Sequence, residues 1–316
     1  MGKQSEGAVL GIVAGAIWGG MFVIGKSALE RVDAFHLTTI RYAVAGAIFL
    51  ALLWAVEGRE AFRLGGRGRR LWLLGSLGFA GFNLLAFTGL DHARPESAAL
   101  IVAATPLATA FVLWLRTSVA PRRAVLGTFV VALIGVFFVV THGDPASVAR
   151  GSVGWGDALV LAGVVSFVVY TLGAADFRDF SPLRYTALTA ALGWVTVAGA
   201  TLAVTLAGWS QEPSATAVWA VTPQIAYITI LGAVVAVLAW NASVGTIGPQ
   251  NTALFVNLVP IVAFAIEVVR GYRPAALEVA GAALTILALV GANLLSRPRA
   301  RVTPLPQLED ELARAA

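Results

Sequence analysis

The sequence contains no cysteine and very little charge. The absence of cysteine from its 316 residues excludes disulfide bonds, thiolate metal sites, iron–sulfur clusters and cysteine nucleophiles. Charged residues make up only 12% of the chain, about half of the share in soluble proteins, whereas hydrophobic residues make up 58%. So few charges cannot cover the surface of a soluble globule of this length. A soluble enzyme, a disordered chain and a nucleic-acid-binding module are therefore excluded.

The apolar residues form runs long enough to cross a lipid bilayer. A membrane core of about 30 Å requires roughly 20 residues of helix. Ten such runs, here called spans 1 to 10, are predicted at 8–29, 35–56, 71–90, 96–115, 124–142, 156–174, 183–206, 225–246, 251–270 and 275–296. The segment 207–224 between spans 7 and 8 is predicted to be an exposed loop. The composition thus predicts an all-α integral membrane protein with ten transmembrane helices.

Lysine and arginine are unequally distributed between the two sides of this predicted bundle. If both chain ends lie on one side, fifteen of these residues fall on that side and five on the other. The positive-inside rule therefore places both termini in the cytoplasm and the chain in the cell (cytoplasmic) membrane. The tail from 297 to 316 is predicted to be solvated on the cytoplasmic side.

The two halves of the chain are similar at a fixed offset of 154 residues. Thirteen of the 66 positions from 71 to 136 carry the same residue as the position 154 further on, without a gap. The shared residues that constrain the backbone are Gly78/Gly232, Pro95/Pro249, Pro106/Pro260 and Gly127/Gly281. Because each half holds an odd number of spans, the second half must lie inverted in the membrane. The sequence predicts two inverted five-helix repeats, 1–142 and 143–296, as in many secondary transporters.

Several short motifs are similar to those of a known family. They are Trp18-Gly19 and Phe22 in span 1, Arg41 in span 2, Trp240-Asn241 in span 8, and the run 254–260 (LFVNLVP) in span 9. Together they resemble the EamA-type, ten-helix branch of the drug/metabolite transporter (DMT) superfamily. The resemblance implies a central cavity between two repeats, cytoplasmic termini and alternating access. The chain departs from that branch at Ser118 and Tyr272, where the branch commonly has an acidic residue.

Polar and aromatic residues inside the spans are candidates for a binding site, because an unpaired polar group is costly in hydrocarbon. The substrate-binding candidates are Trp18, Arg41, Asn83, Tyr170, Trp240, Asn241 and Asn257. Interhelical hydrogen bonding is the alternative interpretation of each asparagine, and core packing is that of each aromatic residue.

Three further residues are candidates for gating or coupling. Pro106 and Pro260 occupy equivalent positions, and each removes one helical hydrogen bond, which predicts either a hinge or a tolerated kink. Glu267 precedes Arg270 by three residues near the outer end of span 9. It is open to three interpretations: a local ion pair, a substrate-binding or proton-coupling group, or a partner of Arg41 at similar depth.

Other features are interpreted as structural. Lys26 near the end of span 1 is expected to extend to the headgroups. Gly11, Gly15 and Gly19 form one face of span 1, which predicts close contact with another helix. His36, His92 and His142 are expected at the outer membrane face as solvated side chains, with a metal or pH-sensing cluster as the alternative interpretation. No catalytic or metal-binding constellation is found, so no enzymatic activity, metal or cofactor is predicted.

The combined prediction is a secondary transporter that exports a small metabolite, such as an amino acid, through a central cavity. A drug or nucleotide-sugar transporter of the same fold is the alternative within this class. A membrane enzyme or a lipid scramblase is the alternative from another class. The expected partners are a small-molecule substrate and membrane lipids, with no nucleic acid, and the chain is expected to act as a monomer or homodimer.

Overall fold

The regular elements are all helical. The computed structural model describes residues 3–118, 123–141, 143–144, 146, 154–247 and 252–296, and in this part of the chain every regular element is a helix. Five spans are single helices. Their bounds are Lys3–Leu29 for span 1, Ala34–Glu57 for span 2, Arg123–Val140 for span 5, Pro182–Leu206 for span 7 and Ala276–Ser296 for span 10. Span 6 is Trp155–Gly173, extended by a short 3-10 helix, Ala174–Phe177. The predicted all-α fold is confirmed.

The other four spans are interrupted helices. Span 3 consists of Gly68–Gly75, Ser76–Gly81 and Phe82–Asp91, and span 4 of Pro95–Ala103 and Thr105–Thr117. Span 8 consists of Thr222–Ala226, Tyr227–Val235 and Ala236–Ile247, and span 9 of Ala253–Asn257 and Leu258–Val269. The middle segments of spans 3 and 8 are π-helical, and we call them the first and second π segment. Span 4 bends by 43° at Ala104, and span 9 begins with a 3-10 turn.

These interruptions correspond between the two halves. Adding the offset of 154 to the first π segment gives 230–235, which lies inside the second π segment. The same offset carries Ala104, at the bend of span 4, to Leu258, at the junction inside span 9. Short π segments and breaks in long helices are frequent at functional sites, because they interrupt the regular backbone hydrogen bonds.

The helices have the length and surface of membrane spans. In the described part of the chain, six helices are long and apolar enough to cross a bilayer when spans 3 and 8 are each counted across their π segment, and the bent pair in span 4 makes a seventh. Shorter apolar helices, Leu126–Val139, Phe255–Val269 and Ala276–Ala288, coincide with predicted spans 5, 9 and 10. Large apolar side chains such as Trp54, Leu115 and Leu202 are more than half exposed, as expected for surfaces that contact lipid.

The helix boundaries follow from local sequence. Asp33 caps span 2 by accepting hydrogen bonds from the amides of Phe35 and His36, at 2.9 and 3.2 Å. Ser181 caps span 7 in the same way, and Pro182 follows it at the first helical position. The predicted loop 207–224 is only partly correct: Ser214 caps a short helix, Ala215–Ala220, within it.

The spans pack in a pattern with two-fold symmetry. Span 1 packs against spans 8 and 9, and the equivalent span 6 packs against spans 3 and 4. Spans 2 and 7 pack against each other, as do spans 5 and 10. Exchanging each span with its equivalent in the other half leaves this set of pairs unchanged. Below, the near face is the one where span 1 begins, and the far face is the opposite one.

Candidate functional site

Arg41 lies where the two halves meet. This span 2 residue is only 2% exposed. Its Nη1 donates a hydrogen bond to Oδ1 of Asn83 in span 3 at 2.9 Å, and its Nη2 donates to the sulfur of Met21 in span 1 at 3.2 Å. A Cβ atom placed on Gly232, in the second π segment, would lie 3.7 Å from Nη2. Arg41 therefore bonds to elements of the first half and lies beside the second π segment, against which span 2 packs.

The charge of Arg41 has no counter-charge among the described residues. Its two hydrogen bonds go to an amide and to a thioether, and its Nε has no acceptor there. The rings of Tyr42 and Phe87 lie 5.1 and 5.4 Å from the guanidinium carbon and stabilise the cation only in part. A buried charge without a partner costs several kcal/mol, so an arginine in this environment needs an explanation.

Asn83 connects Arg41 to a row of aromatic rings. Its Nδ2 donates to the carbonyl of Phe79 at 2.9 Å, which fixes the amide so that Oδ1 points to Arg41. The edge of the Phe79 ring meets Tyr170 at 5.3 Å between ring centroids, and Tyr170 stacks on Tyr185 at 5.2 Å. The row therefore runs from the buried arginine in span 2 to span 7.

Side chains from the first helix of each half bind the π segment of the other half. Nε1 of Trp18 donates to the carbonyl of Gly232 at 3.0 Å, and the hydroxyl of Ser166 donates to the carbonyl of Leu77 at 2.8 Å. The ring of Trp18 also packs on Trp240, with ring centroids 5.2 Å apart. Each π segment is thus held by the opposite half.

Replacing Trp18 with phenylalanine is expected to lower the free energy of unfolding by about 1 kcal/mol, because the hydrogen bond to the Gly232 carbonyl is lost while the ring contact remains. The measurement is the thermal unfolding of the purified protein in detergent. Trp54→Phe is the control, because Trp54 is 61% exposed. Equal unfolding temperatures for both variants would show that the hydrogen bond does not stabilise the second π segment.

The polar residues of spans 6 and 8 meet on span 7. Asn241 donates to the hydroxyl of Thr186 at 2.9 Å, and the hydroxyl of Tyr170 lies 3.5 Å from that of Thr189, one turn further on. Six of the seven predicted binding residues are therefore linked by a chain of contacts through Gly232, Phe79 and span 7. The linked residues are Trp18, Arg41, Asn83, Tyr170, Trp240 and Asn241.

The seventh residue, Asn257, lies apart from this chain of contacts. It is buried at the end of the 3-10 turn of span 9, and its Oδ1 has no hydrogen-bond partner in the described residues. Like Arg41, Asn257 is therefore a buried polar side chain with an unsatisfied atom near an interruption of a span.

Both predicted hinge prolines lie next to a helix break. Pro106 is the second residue after the bend at Ala104, and Pro260 is the third residue of the helix that follows the 3-10 turn. In span 4 the hydroxyl of Thr105 donates to the carbonyl of Val102, which is the carbonyl that Pro106 leaves without its helical amide. The break in span 4 is thus locally satisfied and can persist in lipid.

Glu267 and Arg41 are not brought together. Glu267 accepts a hydrogen bond from Arg270 at 3.0 Å, which corresponds to the local ion pair among the three interpretations above.

Lys26 does not simply extend to the headgroups: its Nζ donates to the carbonyls of Leu90 and Asp91 at the end of span 3. A lysine at this position also interacts favourably with the helix dipole.

The far face holds an acidic residue that the sequence analysis did not consider. Glu278, in the first turn of span 10, has a side chain only 1% exposed and lies 3.4 Å from Arg94, which precedes span 4. The hydroxyl of Tyr272 donates to the Glu278 carboxylate at 2.5 Å. Burial and this hydrogen bond raise the pKa of Tyr272, so the phenol stays protonated. Glu278 is an acidic residue inside the predicted apolar span 10, and this feature of the sequence could have identified it.

The near face is connected by exposed ion pairs. Arg67, before span 3, pairs with Asp179, after span 6, and Arg70 pairs with Asp176 in the same two regions. The Arg67 guanidinium also lies over the rings of Phe177 and Phe180, each 4.7 Å away. Both faces therefore carry charged contacts between the halves, exposed on the near face and buried on the far face.

The near-face contact is expected to be insensitive to pH in the physiological range. The hydrogen bond from Arg67 holds the pKa of Asp179 below its usual value. A lowered pKa stabilises the folded state above the unfolded-state value of about 3.9, and this stabilisation is lost as the pH falls through the lowered pKa. The difference in unfolding temperature between the wild type and Asp179→Asn should therefore be constant from about pH 8 to 5 and disappear in stronger acid. A difference that changes between pH 8 and 5 would contradict this assignment.

The histidines do not form a metal site in the described part of the chain. His36 contacts Asp33 at 2.7 Å, and the ring of His92 packs on Trp155 with centroids 4.2 Å apart. No group of three or more His, Asp or Glu side chains that could hold a metal ion occurs among the described residues. His142 and the tail 297–316 lie outside them.

Comparisons with known proteins extend over most of the chain. The sequence profile of the EamA-like transporter family matches residues 5–141 and 154–294. The "Uncharacterized transporter YrdR" of Bacillus subtilis (strain 168) is 30% identical over 94% of this chain and 94% of its own length. The "Uncharacterized transporter YyaM" of the same organism is 32% identical over 87% of this chain and 89% of its own.

Two further comparisons are more distant. The "S-adenosylmethionine/S-adenosylhomocysteine transporter" of Chlamydia muridarum (strain MoPn / Nigg) is 27% identical over 55% of each chain. One crystal structure superposes with a TM-score of 0.64 at 22% identity, covering 93% of this chain and 99% of its own, which shows a common fold.

Proposed function

The chain belongs to the EamA-like transporter family, and we propose that it carries a small metabolite, such as an amino acid, by alternating access. It is a multi-pass membrane protein, and its full-length relatives are named as transporters, not as enzymes. In the proposal, residues 1–142 and 143–296 are the two inverted repeats, both termini are cytoplasmic, and the direction is export from the cell. The distribution of lysine and arginine supports this orientation.

The observation that carries the proposal is the pairing of interruptions between the halves. Alternating access requires elements with two arrangements, because packed helices do not deform continuously. The π segments of spans 3 and 8 and the breaks of spans 4 and 9 supply such elements at equivalent positions. The chain of polar and aromatic contacts around Arg41 lies between the two π segments.

A narrow crevice lies on the far-face side of Arg41. The crevice between spans 1 and 3 extends from the level of Arg41 toward the far face and has room for no water molecule. It is lined only by apolar residues, namely Met21, Phe22, Phe82, Ala86, Phe87 and Leu90. A path from Arg41 to the far face through this crevice therefore requires spans 1 and 3 to separate in part of the cycle.

S-adenosylmethionine is a second candidate substrate, since the Chlamydia relative is named for transport of this compound. The aromatic contacts Trp18–Trp240 and Phe79–Tyr170–Tyr185 favour a substrate with a planar or cationic part beside its amino-acid group. Both candidates share an α-amino carboxylate.

The test is counterflow in liposomes that contain the purified protein. Vesicles loaded with unlabelled amino acids or S-adenosylmethionine are diluted into the labelled compounds, and label should accumulate above the level in protein-free vesicles for at least one of them. Equal label in both kinds of vesicle for the whole panel would overturn the substrate proposal. Counterflow of a nucleotide sugar or a drug instead would favour the alternative substrates of the same fold.

A further inference from the structure

We propose that Arg41 is an anion-binding group and that the transported compound carries a carboxylate, which binds to the Nε–Nη2 edge of the guanidinium. The inference deepens the proposed function, on which it rests, because it defines the chemical group that the central site recognises. The evidence is the charge balance, the unused donors of Arg41 and the polar atoms on the elements packed around it.

The charge balance of the bundle leaves Arg41 without an internal partner. In the described residues the arginine–carboxylate pairs lie at the two faces; they are Arg63–Glu60, Arg67–Asp179, Arg70–Asp176, Arg94–Glu278 and Arg270–Glu267. Arg41 lies about 10 Å below the far end of span 2, since seven residues separate it from Ala34 and each contributes about 1.5 Å. An anion bound there restores neutrality in a region of low dielectric.

The hydrogen-bond donors of Arg41 are mostly unused. A guanidinium has five N–H donors arranged to match the two oxygens of a carboxylate. Asn83 holds Nη1 on one side, and Asn83 is itself fixed by its bond to the Phe79 carbonyl. The opposite edge, Nε and Nη2, has one hydrogen-bond acceptor among the described residues, the sulfur of Met21, which is a weak acceptor. A carboxylate that displaces this sulfur gains two charge-assisted hydrogen bonds.

Two buried hydroxyls lie on the elements packed around this edge. Thr38 is one turn before Arg41 on span 2, and Thr229 is in the second π segment, one turn before Gly232. Span 2 packs directly against that segment. The hydroxyl oxygens of Thr38 and Thr229 are buried and have no hydrogen-bond partner in the described residues. They are additional donors within the elements that contact Arg41.

One arginine favours a carboxylate over a phosphate. A phosphate dianion requires more than one positive charge for neutrality in a low-dielectric site. The next basic residue along the neighbouring helix, Lys26, is held by two carbonyls at the end of span 3. The one available edge of the Arg41 guanidinium, Nε and Nη2, therefore matches a monoanion such as the carboxylate of an amino acid.

The test compares acids with their amides in the purified protein. Leucine, phenylalanine, tryptophan and methionine, together with the four corresponding amino-acid amides, are added in thermal-shift titrations of the wild type, Arg41→Gln, Arg41→Lys and Arg270→Gln. In the wild type and in Arg270→Gln, at least one acid should bind about 10- to 100-fold more tightly than its amide. In Arg41→Gln this preference should disappear, and Arg41→Lys should retain only part of it, because lysine keeps the charge but not the fork.

The unliganded variants separate binding from a structural role. Arg41→Gln without ligand should unfold at the same or a higher temperature than the wild type, because an uncompensated buried charge is removed. A large decrease would assign Arg41 to packing with Asn83 and would overturn the inference. Amides that bind as well as acids, no acid that binds, or an acid preference that survives in Arg41→Gln would also overturn it. Counterflow of an uncharged compound in the same protein would leave the transporter proposal standing and remove only the carboxylate requirement.

Discussion

Replacing Gly15 with alanine is expected to lower the unfolding temperature strongly and to stop transport. A Cβ atom at Gly15 would lie 2.3 Å from the backbone carbonyl oxygen of Phe255, in the 3-10 turn of span 9. A backbone atom cannot move aside by changing rotamer, so spans 1 and 9 must separate. We expect a loss of about 1–3 kcal/mol of stability, as for overpacking in other cores. Thermal unfolding in detergent and counterflow in liposomes measure the two effects.

Gly46→Ala is the matched control for this prediction. Gly46 lies in the middle of span 2 and is buried, and apart from the backbone of its own helix and its chain neighbours no atom lies within 4 Å of a Cβ position there. Because alanine favours a helix over glycine by about 1 kcal/mol, this variant should unfold at the same or a higher temperature. The two glycine-to-alanine changes should thus have opposite signs. Equal effects would show that the contact of Gly15 with span 9 does not limit stability.

Replacing Glu278 with glutamine is expected to open the far face. The carboxylate of Glu278 connects span 10 to Arg94 before span 4, and so connects the two halves. Removing its charge leaves Arg94 beside a neutral amide, which destabilises the closed state by about 1–2 kcal/mol, since Arg94 is 27% exposed and partly hydrated. The open state should then be roughly 5 to 30 times more populated.

Cysteine labelling measures this opening, because the natural chain has no cysteine. Ala86 is buried in the closed crevice between spans 1 and 3, so a thiol at Ala86→Cys reacts with maleimide only when the far face opens. In the Glu278→Gln background the labelling rate of Ala86→Cys should rise roughly 5- to 30-fold. Ala187→Cys, buried in the near-face half of span 7, should not show this increase.

Glu267→Gln is the control for the Glu278 substitution. Glu267 also lies near the far face, but its ion pair is with Arg270 of the same helix, so its loss does not separate the halves. The labelling rate of Ala86→Cys should therefore stay within about twofold of the wild type. If Glu267→Gln and Glu278→Gln have the same effect, the contact between Arg94 and Glu278 does not hold the far face closed.

The residues of the far-face contact are not repeated at the equivalent positions of the other half. The offset of 154 pairs Arg94 with Gly248, Tyr272 with Ser118 and Glu278 with Ala124, and none of these three residues carries a charge. The near face uses other residues, the exposed pairs Arg67–Asp179 and Arg70–Asp176. The two halves are thus joined at their two faces by different chemistry, largely buried on one side and solvent-screened on the other.

Much of the architecture could be predicted from the sequence. The membrane class, the positions of the spans and the close approach of span 1 through Gly11, Gly15 and Gly19 were predicted, and the structure places these glycines against span 9. The equivalent positions of the interruptions follow the 154-residue offset and two shared prolines. By contrast, the π segments themselves were not predicted, because side chains from the opposite half, Trp18 and Ser166, bind their carbonyls.

The sequence by itself determined that this chain lies in a membrane as two similar halves, since transfer of an apolar segment into lipid depends on that segment alone and the halves share their proline and glycine spacing. Only the tertiary structure decided that Arg41 contacts Asn83 and Met21, that Glu267 pairs within its own helix, and that Glu278 faces Arg94. Except for the pair Glu267–Arg270, these contacts join residues far apart in the chain. The hydropathy of a span shows that a polar side chain must be satisfied, but the packing of the helices determines which group satisfies it.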